Sequence, residues 1–402
     1  MITISKPYIK HFDNKARLIS NIIVDNKKPY EFYYEVEEEY SKYLVDELSD
    51  SFVVCLMLWA MDHKHDINCE APISERLYKQ MTEYLIPAIS KNIKEYSKIN
   101  IIAEKSNIKF DGNDGVGTGL SCGVDSFYTI LKNLNHSKES NLNLTHLCYF
   151  NAGASGGDED DVEEARHIYS ERLKEFKIVA EELNCKFLTV DSNMNEFLKQ
   201  NHEATHVFRT LSIPLALQKL FHLYYFSSSS EYNMFKFVWW DCSFYDLLNM
   251  QAISNDNIRF ELVGGETTRQ GKVNFIDTNK TVQNHLNVCI RGIHNDNTCS
   301  KCKRTLLNLY VDGRLDDFKN VFDVDSFKKN IKTNLVYAVE NKDLFDMPEI
   351  NRLLKEKKLL PLSCRIKGNL KRFLRKIKRE IKNIIKFILK IFHIDYKKFK
   401  KK

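Results

Sequence analysis

Apolar and polar positions divide the chain into stretches of differing period. Alternation over residues 17–24 and 30–36, on either side of the polar run Asp25-Asn26-Lys27-Lys28, predicts two strands joined by a turn. Apolar residues at three- and four-residue spacing predict helices near 40–48, 51–61 and 74–91, and a short apolar run at 99–103 reads as a strand. Trp59, Met57 and Met61 recur at helical spacing and are expected in a core. Residues 1–107 therefore form an N-terminal α/β region in which no group of residues has catalytic spacing.

From 108 to 330 the pattern alternates between short apolar runs and longer amphipathic stretches, the arrangement that builds a parallel sheet with crossover helices. The expected order is a strand ending near Gly119, a helix at 126–134, a strand at 144–150, a long helix at 162–183 and a strand at 187–190. A helix over 206–225 follows, then strands at 235–240 and 258–263. In an open parallel sheet, ligands sit beyond the carboxyl ends of the strands. That edge would collect the turn after Gly119, Asn151-Ala152-Gly153, Asp191-Ser192-Asn193 and Gly264-Gly265-Glu266-Thr267-Thr268-Arg269. Residues 331–362 read as a helical extension, and 363–402 as a separate basic amphipathic tail.

The first of these turns is dense in glycine. Gly112, Gly115, Gly117, Gly119 and Gly123 place five of the chain's 14 glycines within 12 residues. A small-residue turn between a strand and a helix presents backbone N–H groups and the positive helix end to an anion, most often phosphate. The Gly-Lys-Ser/Thr ending of the Walker pattern is absent. The run Ser121-Cys122-Gly123-Val124-Asp125-Ser126 instead resembles the Ser-Gly-Gly-x-Asp-Ser signature of the PP-loop ATP pyrophosphatases, with Cys122 in place of the first glycine. If that position requires positive φ, the cysteine costs on the order of 1 kcal/mol. At a helix N-terminus its thiol pKa would be lowered, although packing is the preferred role.

The resemblance covers residues 115–325 loosely and implies a Rossmann-like PP-loop fold that splits ATP between its α and β phosphates. The AMP half then activates a carboxyl or amide oxygen for displacement by a nitrogen or sulfur nucleophile. On this reading Ser121, Cys122, Gly123, Val124, Asp125 and Ser126 cradle pyrophosphate, the two serine hydroxyls donating to it. Asp125, a carboxylate in an anion site, implies bridging Mg²⁺; its plainer role is a helix N-cap. Asn151 and Gly153 fall where the superfamily contacts adenine. Arg269 and Lys272 resemble its α-phosphate and pyrophosphate cations, with Arg209 a weaker candidate. Glu266 is expected to be a solvated loop carboxylate.

Ten cysteines and no export signal point to thiols or metal ligands in a reducing, cytoplasmic setting. Cys289, Cys299 and Cys302, the last two as Cys-x-x-Cys, have the spacing of a Zn²⁺ site that lacks one ligand. His294 heads the choices for the fourth, with His285 and Asp296 behind it. A redox or sulfur-relay dithiol and simple packed thiols are the rivals. The segment resembles in kind the C-terminal zinc site of the 7-cyano-7-deazaguanine synthases, whose sequences carry a fourth cysteine near the place of Asp296.

Net charge is +6, but it is segregated: residues 365–402 hold 16 Lys/Arg against Glu380 and Asp395, so the remainder is net −8. Within the tail, Ile366, Leu370, Phe373, Leu374, Ile377, Ile381, Ile384, Ile385, Ile388 and Phe392 fall on one helical face, and Lys and Arg on the other. A helix of this kind lies in the headgroup layer of an anionic membrane, here through residues 365–392 at the inner face. A protein partner or self-association ranks next and nucleic acid last, because RNA-binding helices carry few large aliphatics. The acidic run 158–164 suits a helix start. The expectation is an ATP- and Mg²⁺-dependent, AMP-forming synthetase with structural Zn²⁺ and an unidentified acceptor. The alternatives are a tRNA- or nucleoside-thiolating enzyme and a non-catalytic nucleotide-binding module.

Overall fold

The computed structural model describes residues 1–136, 140–153, 162–290 and 292–391, with side chains described to 385. The chain is mixed α/β and divides into two compact units, Met1–Asn295 and Asp296–Lys402.

The first unit is built on an 11-stranded sheet. Its strands are β1 (Ile2–Ile4), β2 (Tyr8–Phe12), β3 (Lys15–Val24), β4 (Tyr30–Glu37), β5 (Ile67–Cys69), β6 (Ile101–Ile102), β7 (Gly115–Gly119), β8 (His146–Phe150), β9 (Lys186–Ser192), β10 (Phe221–Ser227) and β11 (Arg259–Val263). The helices that matter below are α1 (Asp50–His63), α2 (Val124–Asn133), α3 (Val162–Glu182), α4 (His202–Ala216) and α5 (Arg269–Ile276). Strands β11-β10-β7-β8-β9 lie side by side and are all parallel. The first strand of this set is therefore central and the chain winds outward from it in both directions. The carboxyl end of β7 is the point at which strand order reverses.

The N-terminal region does not stand apart from this sheet. Strand β9 pairs antiparallel with β4 through Asp191↔Glu35 and Ser192↔Tyr34, and β4 continues antiparallel into β3. Helix α1 packs along α4. A buried polar group seals the join: Asp50, 1% exposed, accepts hydrogen bonds from Ser74 N (2.8 Å), Gln218 Nε2 (3.2 Å) and Asn255 Nδ2 (2.9 Å). Burial raises the Asp50 pKa even so. Such a network has every acceptor filled only when residues 50–74 and 218–255 are both in place.

Three predicted elements are corrected. The helix expected over 206–225 begins at His202 and stops at Ala216, where Leu217 N–H turns back to Pro214 O. Residues 221–227 then form β10, whose Phe-His-Leu-Tyr-Tyr-Phe run suits a pleated surface. Residues 235–240, expected to be a strand, are irregular, and Phe235, Trp239 and Trp240 are exposed. Residues 40–48 are a 3₁₀ turn (Glu38–Tyr43) and coil, not an α-helix. Met57 and Met61 are buried, as the helical spacing predicts.

The second unit is helical. Helix α6 (Ser300–Asp312) opens it and helix α7 (Leu362–Ile391) closes the described chain. Helix α7 packs against Ile331–Glu340 at Gly368, where a Cβ would come within 2.5 Å of Val339 Cβ. Arg375 fixes the same face through Asn341 Oδ1 (2.7 Å) and Glu340 O (2.6 Å). The opposite face stays uncovered: Ile366, Leu370, Phe373, Leu374, Ile377, Ile381, Ile384 and Ile385 are all exposed. Ile388 and Phe392 lie outside the described side chains, as does most of the acidic run 158–164. Among the described residues no helix is long and apolar enough to cross a membrane.

Candidate functional site

The glycines before the turn serve packing. A Cβ at Gly115 would sit 2.6 Å from Leu220 O, and one at Gly117 would sit 2.8 Å from Phe221 Cε1 and 2.9 Å from Tyr224 Cδ2. Strand β7 must be slim so that the aromatic rings of β10 can lie across it. Only Gly123 of this group lies in the turn itself.

Beyond β7 the backbone turns sharply at Cys122, which adopts φ 56°. This is the left-handed conformation anticipated for the replaced glycine. Its side chain is fully buried, and burial pushes the thiol well above its ordinary pKa, with Glu175 adding to the shift and Arg172 opposing it. The lowered thiol pKa considered from the sequence is thus reversed: a helix end cannot offset complete desolvation. Cys122 O accepts from Asn287 N (2.8 Å).

Gly123 is the N-cap of α2, so Asp125 sits one position inside the first turn and is not the cap. Phe127 N–H is the first to bond back, to Gly123 O at 2.9 Å. The N–H groups of residues 124–126 belong to the turn for which the helix itself supplies no acceptor. Ser126 is buried; its hydroxyl accepts from Ser121 N (3.2 Å) and donates to Gly119 O (2.7 Å). It braces the turn, and its proton is committed to a carbonyl, contrary to the anion-donor role expected of it. Ser121 is exposed, and its hydroxyl accepts from Gly123 N at 3.3 Å. Val124 is buried and anchors the helix start.

Asp125, Arg269 and Lys272, 144 and 147 positions apart in sequence, meet. Arg269 Nη1 donates to Asp125 Oδ2 and Lys272 Nζ to Asp125 Oδ1, each at 2.8 Å. Lys272 is 3% exposed and also donates to Ser228 O at 2.6 Å, which ties the loops after β7, β10 and β11 together. Thr268 caps α5 by accepting from Gly271 N (3.1 Å), and this sets both cations on the first two turns. Gly264 adopts φ +95°, and a Cβ there would meet Lys272 Cε at 3.0 Å. Glu266 is the exposed loop carboxylate expected, and it pairs with Lys132. Burial would raise its pKa, but hydrogen bonds from Lys132 and Tyr128 (2.7 Å) outweigh it and hold the group at about 2.

Asn151 and Gly153 lie at the carboxyl end of β8, next to this turn in the sheet. Asn151 Nδ2 donates to Asp191 Oδ1 (2.7 Å), and Asp191 also pairs with Arg166 (2.8 Å). Gly153 adopts φ +87°, and a Cβ there would stand 2.7 Å from Arg209 Nη1. Arg209 is completely buried and donates to Asn195 Oδ1 (2.9 Å) and Gln200 O (2.8 Å). It supports the 151–153 loop from within.

For the cysteine segment, the ligand atoms of Cys289, Asp296, Cys299 and Cys302 lie within 4.8 Å of one another, so this group could hold a metal such as zinc. The fourth member is Asp296. His294 is exposed and outside the group, and His285 is engaged with Glu175 and Glu182. Cys299 caps α6, its Sγ accepting from Cys302 N at 3.4 Å. Burial opposes ionisation of Asp296, but N–H donors of Cys299 and Thr298 (2.8 Å each) keep its carboxyl well below the usual range. Backbone donors on the Asp296 carboxylate favour the deprotonated form a cation requires. No disulfide forms among the described residues.

A second group was missed from the sequence: Glu203, His206 and Asp241 also bring ligand atoms within 4.8 Å of one another. The available signal was His202-Glu203-Ala204-Thr205-His206, two histidines one helical turn apart. Comparison with protein-family models, with curated proteins and with solved structures yields no match to this chain.

Proposed function

We propose that residues 121–126 grip the triphosphate of ATP and that the protein is an AMP-forming synthetase of PP-loop type, with a Rossmann-like nucleotide-binding core. It adenylates a carboxyl or amide oxygen of an acceptor for attack by a nitrogen nucleophile and releases pyrophosphate. The observation that carries this reading is the convergence of Lys272 and Arg269 on Asp125, beside a helix N-terminus at the strand-order reversal. A partly buried cation pair beside first-turn N–H groups is suited to the charge that develops on a transferring phosphoryl group. Asp125 is the residue that would hold Mg²⁺, which when bound neutralises phosphate charge. Asn151 and Gly153 flank the nucleotide on this reading, and Cys289, Asp296, Cys299 and Cys302 hold structural Zn²⁺.

The test is incubation of the full chain with ATP, Mg²⁺ and a pool of carboxylic and amide acceptors. Acceptor-dependent release of AMP and pyrophosphate supports the proposal; ADP and phosphate as products would overturn it. The uncovered apolar face of α7, backed by its lysines and arginines, supports peripheral attachment to an anionic membrane. Flotation with phosphatidylglycerol vesicles should retain the full chain and lose one truncated after residue 361. Equal flotation of both removes that assignment.

A further inference from the structure

We infer that Glu203, His206 and Asp241 form a binding site for a first-row divalent cation, separate from the cysteine group and from the 121–126 turn. Two of the three residues stand on helix α4. His202 and Glu203 occupy its first turn and His206 the next, so residues 202 and 206 share a face. Their rings lie 5.5 Å apart, centroid to centroid. Because α4 connects parallel strands β9 and β10, its N-terminus lies at the carboxyl edge of the sheet.

Asp241 comes to this face from the irregular segment after β10. Its Oδ1 caps the short turn Cys242–Tyr245, accepting from Ser243 N (2.9 Å) and the Ser243 hydroxyl (2.6 Å). That bond orients the carboxylate and leaves Oδ2 for another partner. Cys242 fixes the approach, its Sγ accepting from Val207 N at 3.4 Å.

Two features distinguish this group from a chance surface cluster. First, Glu203 and Asp241 bring like charges within 4.8 Å, yet neither forms an ion pair with Lys or Arg among the described residues. Two carboxylates held together without a countercharge are stabilised by a cation. Second, His206 Nδ1 lies 3.0 Å from Glu203 O. A carbonyl only accepts, so Nδ1 is the donor in this bond, which leaves Nε2 as the nitrogen available to a cation. Metal-binding histidines are commonly fixed through this kind of backbone bond. One imidazole and two carboxylates form a mixed nitrogen–oxygen set suited to Mn²⁺, Fe²⁺ or Zn²⁺, and three protein ligands leave positions open for water or a substrate oxygen.

The test uses the full chain, stripped with chelator and titrated with Co²⁺. Two classes of bound Co²⁺ are expected. One shows the intense thiolate-to-cobalt absorption of the cysteine group, and the other only weak visible bands from nitrogen and oxygen ligands. His206→Ala and Asp241→Asn should each weaken the second class at least about tenfold, with the thiolate band intact as evidence that the chain is folded. Far-ultraviolet circular dichroism supplies the same control independently of metal. The inference is overturned if the wild type binds Co²⁺ only through thiolate, or if neither substitution changes the second class. ATP cleavage is not the readout, so the outcome stands apart from the proposed activity.

Discussion

Lys272 is the residue whose replacement says most about how the candidate site is held. Its ammonium is 3% exposed and has Asp125 Oδ1 at 2.8 Å and Ser228 O at 2.6 Å as acceptors. Asp125→Ala would strand this cation with one carbonyl. Breaking a fully buried pair costs about 3–5 kcal/mol. The Asp125 side chain is 28% exposed, so the cost falls below that range, about 2–3 kcal/mol, or roughly 3–5 °C in melting temperature for a unit of this size. Lys272→Met removes the charge together with its desolvation cost and leaves Asp125 bonded to Arg269. It should therefore lie within about 1 kcal/mol of wild type. The double variant then has no stranded ammonium and should be more stable than Asp125→Ala alone by about 1 kcal/mol. Chemical denaturation of the four proteins measures this cycle, and pyrophosphate release measures function, which all three variants should lose. Additive destabilisation, with the double variant weaker than either single one, would refute the claim that Asp125 exists to balance a buried cation.

His146, 3% exposed on β8, has its pKa lowered to about 4, chiefly by burial and further by Lys186. The native state therefore binds fewer protons than the unfolded chain between pH 6.5 and 4, and stability falls across that window as pH drops, by about 3 kcal/mol from this group; His146→Phe should flatten that part of the pH–stability curve. Native protein should resist thiol labelling at Cys122 in peptide mapping until unfolded, and Cys122→Val should destabilise by about 2 kcal/mol, since a branched side chain tolerates positive φ poorly. Gly117→Ala should cost about 1–3 kcal/mol in thermal or chemical unfolding by forcing Phe221 and Tyr224 aside; an unchanged midpoint would show that the slim strand is unnecessary.

Local pattern was sufficient wherever a single period or a short motif carried the information. The hairpin strands β3 and β4, the alternation from β7 to β9 and the tail helix were legible because side-chain periodicity is a property of consecutive residues. The positive φ at Cys122 could be anticipated from one substituted glycine. Local signals also misled: the apolar run 235–240 reads as a strand, while the end of α4 at Ala216 was passed over.

What only the tertiary structure decided are the meetings of distant residues. Asp125 with Arg269 and Lys272, Asp296 in the place sought for His294, and Asp241 beside His206 all depend on which loops the sheet brings to one edge. The role of Gly115 and Gly117 was hidden for the same reason, since their smallness answers to aromatic rings more than 100 residues away in β10. A sequence records the side chains on offer along the chain; the distance and burial that turn them into an ion pair, a ligand set or a packing constraint arise only when strand order is fixed.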